Sequence, residues 1–458
     1  MIPIEKNKEY TAEIMAVSSD GNGICRINGY TVFVPETVTG DKVKFLAVKL
    51  NSGYGTGKLL EITEPSEYRV SPMCDVYKSC GGCQLMHIDY GYQLRIKSDI
   101  IENAMRRIGN MPDFKLSEMV GAKEPYRYRN KIIFPVGTDR NGAAVCGFYE
   151  KHSHTVTAVE DCPAGKSFNA KVLGAVKAYM NENNVKPYDE KNRTGLIRRI
   201  FTRVSEKYGS IMVVISANGS RLPDENDLIE RLKAISCNIT GIILNVNTKN
   251  TSLALGEKNI TLWGKDKITD NLLGLDFEIS PHSFYQINPQ MTEKLYKKAL
   301  EYADLNGEEN VLDIYCGIGT ISLCAAKRAK HVIGVEIVEQ AICDAKKNAS
   351  LNKTDNAEFY AAAADKIVPE LVRKNKKIDT VILDPPRKGA DEKTLTSIAE
   401  AKPKKIVYVS CNPSTLARDV KLLCGKGYVL EKACGFDMFP NTVHVETVCL
   451  MSRICSGK

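Results

Sequence analysis

The chain has 458 residues, of which 43% are hydrophobic and 26% charged, an ordinary composition for a folded protein. This length exceeds what one hydrophobic core supports, so about two to four domains are expected. The sequence has no run of about 18 apolar residues, which argues against a membrane-spanning helix and against membrane association. The first residues lack the apolar core of a signal peptide, which predicts a cytoplasmic location. The net charge of +8 suits an anionic partner but is only a mild excess.

The first 65 residues predict a small β-barrel. Short apolar runs alternate with turns that contain Gly, Asp and Asn, as expected for several short strands that close on themselves. The order of turns and strands across residues 20–25, 32–35 and 40–43 resembles the TRAM domain, an RNA-binding barrel of the OB type. An unrelated small barrel is the alternative, and the ordered match disfavours it.

A helix and then a strand-rich region are predicted after the barrel. Ile96, Ile100 and Ala104 recur at helical spacing between residues 90 and 109, and Gly109 suits the C-terminal cap. From about residue 120 to 275, short apolar runs alternate with hairpin signals. We therefore interpret residues 66–275 as a central α+β domain.

Strands and helices alternate from about residue 290 onward. The apolar runs 310–315, 331–335, 379–383 and 405–409 predict buried strands separated by helices. Parallel strands that are covered by helices on both faces read as continuous apolar runs. The pattern therefore predicts a doubly wound, Rossmann-like α/β fold for residues 276–458.

Three features mark the carboxyl ends of these strands as a ligand crevice. A loop that contains Asp313, Gly317 and Gly319 follows the first strand, and its glycines let the backbone turn sharply and approach a ligand. Glu336 ends the next strand, where an acid can accept hydrogen bonds from ribose hydroxyls, and Asp384 follows a later strand. A nicotinamide dehydrogenase would typically have a third glycine in this loop. The combination resembles class I methyltransferases and their S-adenosylmethionine site.

A cysteine and a glutamate suit covalent catalysis in this crevice. An isolated cysteine is most often a small buried residue, but Cys411 follows the strand 405–409 and leaves it at the crevice. Carbon 6 of uracil accepts a thiolate, and this addition makes carbon 5 enolate-like, so that it can take a sulfonium methyl group. A base such as Glu446 then removes the carbon 5 proton as the thiolate leaves. The alternative for Glu446 is a surface carboxylate.

Four segments resemble the RNA (uracil-5-)-methyltransferase family. They are Phe284-Tyr285-Gln286-Ile287-Asn288, the loop 313–319, Asp384-Pro385-Pro386-Arg387, and Ser410-Cys411-Asn412-Pro413 with His444-Val445-Glu446. Family members often have Phe at the position of Tyr285, which changes little. The resemblance implies Cys411 as the nucleophile and Glu446 as the base. It also implies that the other site residues contact S-adenosylmethionine or the target base: Gln286, Tyr315, Glu336 and Asp384, to which we add Asp313 and Gly317 of the loop.

Three cysteines lie close together in the sequence at Cys74, Cys80 and Cys83, and Cys162 can supply a fourth thiol from a distant loop. Four thiolates suit either zinc or an iron–sulfur cluster, and the spacing does not choose between them. The spacing differs from the Cys-x3-Cys-x2-Cys motif of radical S-adenosylmethionine enzymes. In the resembled family this pattern goes with a [4Fe-4S] cluster, and its expected role is structural because methyl transfer moves no electrons.

Aromatic and basic residues interleave over residues 126–131. A strand of this kind can stack bases and contact phosphates. Alternation also arises on an antiparallel sheet with one buried face, so both interpretations stay open. Arg198, Arg199 and Arg203 raise the same question.

Together these features predict a monomeric RNA methyltransferase in three parts. The parts are a TRAM-like barrel (1–65), a central domain with an iron–sulfur cluster (66–275) and a catalytic domain that uses S-adenosylmethionine (276–458). The barrel and the cysteines resemble the ribosomal branch of the family, so 23S ribosomal RNA is the favoured substrate and tRNA the alternative. An amino-group nucleic-acid methylase, which needs no cysteine nucleophile, and a non-catalytic RNA-binding protein are the rival functions.

Overall fold

The computed structural model describes residues 2–139, 141–151, 153–251, 253–374 and 376–454. Its strands form a six-stranded sheet, a seven-stranded sheet, a two-stranded hairpin and an eight-stranded sheet. Apart from one short strand, the sheets follow one another along the chain. Within the ranges given, no helix has both the length and the apolar character that crossing a bilayer requires.

The N-terminal strands form the six-stranded sheet in the order β1-β5-β6-β4-β3-β2. Val32 and Val34 are buried and alternate with half-buried residues, and they share a separate small core with Phe45. Arg69, which follows the sheet, donates hydrogen bonds to Asp41 and so ties the sheet to the next segment. The strands are β1 (Glu9–Glu13), β2 (Ala16–Val17), β3 (Gly23–Ile27), β4 (Tyr30–Val34), β5 (Lys42–Leu50) and β6 (Tyr54–Glu64).

A helix, α1 (Tyr90–Arg107), and a short strand, β7 (Glu118–Val120), come next. The side chain of Asp89 accepts a hydrogen bond from a backbone N–H in the first turn and caps the start of α1. The predicted helix is confirmed, but the predicted cap at Gly109 is wrong. The helix ends at Arg107. The left-handed backbone conformation occurs at Asn110 (φ 58°) instead of Gly109, and Asn is one of the residues that tolerate it.

The central part is a seven-stranded sheet in the order β10-β9-β8-β11-β12-β13-β14, with two helices packed on it. Val176 and Leu228 of these helices are buried in one core with Phe134. The region is α+β, as predicted. Its elements are β8 (Lys131–Thr138), β9 (Ala144–Tyr149), β10 (Val156–Ala158), α2 (Phe168–Glu182), β11 (Ile197–Val204), β12 (Ile211–Ala217), α3 (Glu225–Lys233), β13 (Ile239–Val246) and β14 (Lys258–Gly264), followed by the hairpin β15 (Ile268–Leu272) and β16 (Leu275–Ile279).

The C-terminal part is a sheet in the order β19-β18-β17-β20-β21-β23-β22-β7, with β17 to β21 parallel and β23 antiparallel to β21. Two large cores cover its faces, which confirms the doubly wound α/β fold. Its elements are α4 (Pro289–Ala303), β17 (Asn310–Ile314), α5 (Thr320–Ala326), β18 (His331–Glu336), α6 (Glu339–Leu351), β19 (Ala357–Ala361), α7 (Ala364–Arg373), β20 (Thr380–Leu383), α8 (Glu392–Glu400), β21 (Lys405–Ser410), α9 (Pro413–Cys424), β22 (Tyr428–Phe436) and β23 (Glu446–Arg453).

Helix α1 and strand β7 belong spatially to this last sheet. Strand β7 pairs in parallel with β22, with Glu118 opposite Cys434. Ala104 and Met105 of α1 are buried in the same core as Leu416 of α9. Residues that precede the central sheet in the chain therefore complete the C-terminal sheet.

Candidate active site

A cleft of about 670 Å³ opens at the carboxyl ends of the parallel strands β17, β18, β20 and β21. In open α/β sheets this edge is where ligands bind. The cleft contains every residue that the sequence assigned to catalysis or to the methyl donor, although their individual roles stay predictions. These residues are Gln286, Asp313, Tyr315, Gly317, Glu336, Asp384, Cys411 and Glu446.

The loop between β17 and α5 lines the cleft with backbone. The N–H of Tyr315 donates to the carbonyl of Val335 in β18 at 2.9 Å, which fixes the loop against the neighbouring strand. Gly317 has a positive φ of 54°, and a Cβ there would point into open space. At Gly319, with φ 83°, a Cβ would lie 3.1 Å from the Phe359 ring. The glycines therefore allow a turn that is both left-handed and closely packed.

Three carboxyl groups line the cleft: Asp313 and Glu446 are buried, and Asp384 is half-buried. Burial raises the pKa of Asp384 to about 7. Burial also raises the pKa of Asp313 to about 7, against the opposing hydrogen bond from the Ser322 hydroxyl. For Glu446, burial and then the charge of Asp384 hold the pKa well above its usual range, and Arg387 opposes them. Carboxyl groups with such raised pKa values can hold and exchange protons near neutral pH.

Cys411 occupies the turn between β21 and α9. The Asn412 side chain accepts a hydrogen bond from the N–H of Ser414 at 3.0 Å and caps α9, and Pro413 is the first helical residue. Proline suits this position because its missing N–H would have no partner inside the helix. The cap fixes where the helix starts, and so it leaves the Cys411 thiol at the strand end, in the cleft.

The charges around Cys411 determine how readily it ionises. Burial, followed by the nearby charges of Glu446 and Asp384, raises the pKa of the Cys411 thiol to about 11. Arg387 acts in the opposite direction and lowers this pKa. The thiol is thus close enough to both carboxyl groups for their charges to interact, and Arg387 is the cation that favours its thiolate form.

The cleft also contains residues that sequence reasoning did not assign. Phe284, which is 65% exposed, belongs to a motif singled out above, and Arg387 directly follows Asp384-Pro385-Pro386. Asp365 lies in the first turn of α7, the helix that follows β19, and this place after a strand end was an available signal. The rings of Phe439 and His444 meet edge to face with centroids 6.0 Å apart. His444 belongs to the His444-Val445-Glu446 segment quoted above, whereas only nearness to Glu446 in the sequence pointed to Phe439.

The four cysteines of the predicted cluster line a second cavity of about 170 Å³. Cys80 accepts a hydrogen bond from the N–H of Gly82 at 3.3 Å. Burial, together with the nearby Cys162, raises the pKa of Cys83 to about 12. In the described ranges, no group of three or more His, Cys, Asp or Glu side chains is arranged to hold a single metal ion. The four thiols line one cavity and are close enough for their charges to interact.

The candidate RNA-binding arginines form hydrogen bonds and ion pairs within the protein. Arg198, Arg199 and Arg203 are all buried. Arg203 donates hydrogen bonds to the carbonyls of Ser280 and Ser283. Arg198 donates to Asn247 and Glu190. Arg199 donates to the carbonyl of Leu253. In the interleaved segment, Arg127 pairs with Asp161 and Tyr128 is buried. For these side chains, the interpretation as parts of a sheet with one buried face therefore holds.

Comparisons with known proteins agree with this arrangement. The family model described as tRNA (Uracil-5-)-methyltransferase matches residues 89–454, and the TRAM domain model matches residues 3–60. An RNA methyltransferase of Clostridium tetani is 44% identical over 451 residues, which are 98% of each chain. One of Halalkalibacterium halodurans is 42% identical over 449 residues, again 98% of each chain. These matches confirm the TRAM-type barrel and the family resemblance.

A similar solved structure contains the product of the methyl donor. The tRNA (uracil-54, C5)-methyltransferase of Pyrococcus abyssi, in complex with S-adenosyl-L-homocysteine, aligns with a TM-score of 0.79 and 27% identity, covering 96% of this chain and 100% of that one. S-adenosyl-L-homocysteine is what remains of S-adenosylmethionine after methyl transfer. The predicted methyltransferase fold is confirmed. The chain belongs to the tRNA (uracil-5-)-methyltransferase family, as an S-adenosylmethionine-dependent enzyme that methylates carbon 5 of uracil in RNA.

Proposed function

We propose that the enzyme methylates a uridine of 23S ribosomal RNA, as a cytoplasmic monomer, through a covalent bond between Cys411 and carbon 6 of the uracil. The observation that supports the covalent route is the cleft, in which Cys411 lies near Glu446 and Asp384 and which the glycine loop also lines. A methylase of amino groups would have no use for a thiol at this place. Cys411 is therefore the residue that separates the two chemistries.

The proposed reaction begins when the thiolate of Cys411 adds to carbon 6, and the electrons of the C5–C6 π bond make carbon 5 nucleophilic. S-adenosylmethionine supplies the methyl group to carbon 5 from its sulfonium centre and leaves as S-adenosylhomocysteine. Ionised Glu446 then removes the proton from carbon 5, the C5–C6 double bond forms again, and the bond from carbon 6 to sulfur breaks. The products are 5-methyluridine, the free Cys411 thiolate and a protonated Glu446.

The carboxyl groups of the cleft suit different steps of this reaction. Asp384, with its pKa raised to about 7, is partly protonated at neutral pH and can donate a hydrogen bond to a uracil carbonyl as negative charge develops there. Burial makes ionised Glu446 a stronger proton acceptor than an exposed carboxylate. Arg387 favours the attacking thiolate.

The remaining site residues suit the methyl donor and the target base. Glu336 ends β18, where its carboxylate can accept hydrogen bonds from ribose hydroxyls. Tyr315 and Gly317 supply the loop backbone, and Asp313 supports that loop through Ser322. The backbone carbonyl of Gln286 accepts a hydrogen bond from the Asn130 side chain at 3.1 Å, which holds the segment that carries Gln286 at the cleft.

The covalent step is tested with RNA that carries 5-fluorouridine. Fluorine cannot leave as a cation, so the wild-type protein should form an adduct that survives denaturing electrophoresis when S-adenosylmethionine is present. Cys411→Ala should form none, although it should still bind S-adenosylmethionine. Full turnover by Cys411→Ala would favour an amino-group methylase instead, and failure of the wild-type protein to bind the methyl donor would favour a non-catalytic RNA-binding protein.

The RNA substrate is the second point to test. The barrel and the cysteine motif resemble the ribosomal branch, which supports 23S ribosomal RNA. The Pyrococcus abyssi structure carries a tRNA (uracil-54, C5)-methyltransferase name, which makes tRNA the second candidate. Mapping 5-methyluridine in ribosomal RNA and tRNA from cells with and without the gene decides between them. We expect a 23S site to be lost, and loss from tRNA alone would establish the second candidate.

We further propose that Cys74, Cys80, Cys83 and Cys162 hold a [4Fe-4S] cluster in the central domain (66–275). This domain follows an RNA-binding barrel (1–65) in the chain and precedes the catalytic domain (276–458), whose sheet α1 and β7 complete. The proposal is supported by the four cysteines that line one cavity, since four cysteine thiolates are the usual ligands of such a cluster. When bound, the cluster would cross-link the segment near residue 80 to the loop of Cys162.

The cluster is tested by spectroscopy and by iron content. Anaerobically reconstituted wild-type protein should absorb visible light as iron–sulfur proteins do and should contain about four iron atoms per chain. Cys80→Ser should lose most of both signals. Cys237→Ser removes an exposed cysteine outside the cavity and should keep them. Zinc in place of iron, or no metal at all in the wild-type protein, would refute the cluster.

A further inference from the structure

Asn441 fastens the segment that joins β22 to β23, and all of its polar groups are engaged. Its backbone carbonyl accepts hydrogen bonds from the N–H groups of Gln84 and Leu85 at 3.1 and 3.0 Å. Its side-chain Nδ2 donates to the carbonyl of Pro125 at 3.0 Å. Asn441 is 2% exposed and has a positive φ of 66°, a conformation that Asn tolerates better than most residues.

Gln93 of helix α1 holds the same residue from the other side. Its Oε1 accepts a hydrogen bond from the Asn441 N–H at 3.0 Å, and its Nε2 donates to Asn441 Oδ1 at 3.2 Å. The Nε2 also donates to the carbonyl of Ile88 at 2.9 Å, so the amide itself is fixed in orientation. Gln93 is 2% exposed, and its bonds to Asn441 therefore do not compete with solvent.

The fastened segment leads directly into Glu446. Thr442 donates from its hydroxyl to the carbonyl of Phe439 at 2.8 Å, and the N–H of His444 donates to the Thr442 hydroxyl at 3.2 Å. Glu446 is the first residue of β23 and pairs there with Phe436. Within the described part of the chain, no group donates a hydrogen bond to the Glu446 carboxyl. Its position therefore depends on the backbone that carries it.

We propose that Asn441, held by Gln93, is a positioning residue that sets the Glu446 carboxylate for removal of the carbon 5 proton. The inference rests on the proposed function, in which Glu446 is the base. The base acts only after Cys411 has added and the methyl group has been transferred. Loosening Asn441 should therefore slow the last step more than the earlier ones, and the methylated covalent adduct should accumulate.

The test follows a methyl label through a single turnover. Enzyme in excess, labelled S-adenosylmethionine and RNA from cells that lack the enzyme are mixed, quenched at intervals and digested with nuclease. Label that stays on the protein reports the adduct, and label in free 5-methyluridine reports release. For Asn441→Ala and for Gln93→Leu we expect release to slow about 10- to 100-fold, while adduct formation changes less than about threefold.

Asn245→Ala is the matched control. Asn245 is a fully buried amide in the central sheet that bonds to Gly256 and Asn259, so its loss removes comparable hydrogen bonds outside the cleft. We expect it to leave the ratio of adduct to product unchanged. The proposal is overturned if the two variants slow adduct formation and product release equally, or if they slow neither step. It is also overturned if Asn245→Ala changes the ratio of adduct to product as they do. If Asn441→Ala does not fold, the result for Gln93→Leu decides the test.

The same experiment separates this proposal from the function on which it rests. Glu446→Gln removes the base itself and should accumulate the most protein-bound label. If neither wild-type protein nor Glu446→Gln ever carries label, the covalent mechanism fails. If Glu446→Gln accumulates the adduct and the Asn441 and Gln93 variants do not, only the positioning role fails.

Discussion

Lys97 and Asp437 lie 340 residues apart in the sequence, and their side chains form an ion pair that is completely buried. The Lys97 ammonium also donates to the carbonyl of Phe439 at 3.1 Å, and the Tyr90 hydroxyl donates to the other Asp437 oxygen at 2.9 Å. The pair thus joins helix α1 to the segment after β22, four residues before Asn441.

Removing one partner of this pair should destabilise the protein strongly. Lys97→Met leaves a buried carboxylate without its counter-ion, and such changes cost about 3–5 kcal/mol of the free energy of unfolding. Lys97→Met with Asp437→Asn removes both charges and keeps an acceptor for Tyr90, so we expect it to recover much of the loss. Chemical denaturation measures both effects. Lys42→Met, which breaks an exposed pair with Glu64, should leave the stability nearly unchanged.

Asp384→Asn should abolish methylation and stabilise the ligand-free enzyme at alkaline pH. Burial raises the pKa of Asp384 from 3.8 to about 7, so the folded state binds this proton more tightly than the unfolded state. Stability from this group is complete below pH 4 and is lost as the pH rises through about 7. The variant, which never ionises there, should gain roughly 2–4 kcal/mol over the wild type at pH 8 and little at pH 4.

Melting temperatures at the two pH values measure this effect. Asp189→Asn gives a control of opposite sign, because backbone N–H groups lower the pKa of Asp189 and its charged form favours folding. We expect Asp189→Asn to be less stable than the wild type at pH 8. A gain by Asp384→Asn that is equal at both pH values would contradict the role of its ionisation.

Arg387→Leu should slow the attack of Cys411. Arg387 lowers the pKa of that thiol, so without it the pKa should rise above about 11 and the thiolate fraction at pH 8 should fall. We expect adduct formation with 5-fluorouridine RNA to slow about 3- to 10-fold at pH 8 and to recover partly as the pH increases. Arg387→Lys keeps the charge and should stay closer to the wild type. The rate of adduct formation between pH 7 and pH 10 is the measurement, and a pH-independent loss in Arg387→Leu would refute this explanation.

The sequence predicted those parts of the fold that depend on local pattern. The strand ends at Asp313, Glu336 and Asp384 follow apolar runs, and parallel strands necessarily bring such ends to one edge of the sheet. Cys411 and Glu446 could be placed in the same cleft by this logic and by family resemblance. Their roles remain predictions that the experiments above address.

Contacts between distant segments could not be read from the sequence. Nothing local indicates that Lys97 meets Asp437, or that Arg203 supports the loop at Ser280 instead of binding RNA. Buried polar residues of this kind find their partners only when the chain has folded, because periodicity reports which face is apolar and not what covers it. Asn441 was overlooked for the same reason.

The pairing of β7 with β22 limits how this enzyme can be cut into pieces. A fragment starting at residue 276 would lack both α1 and β7, so the outer edge of β22 would present unpaired backbone groups to solvent. It would also uncover the apolar surface on which Ala104 and Met105 pack. Such a fragment is expected to aggregate, and any transplant of the methyl-transferring half into another protein has to carry the chain from before Tyr90 with it.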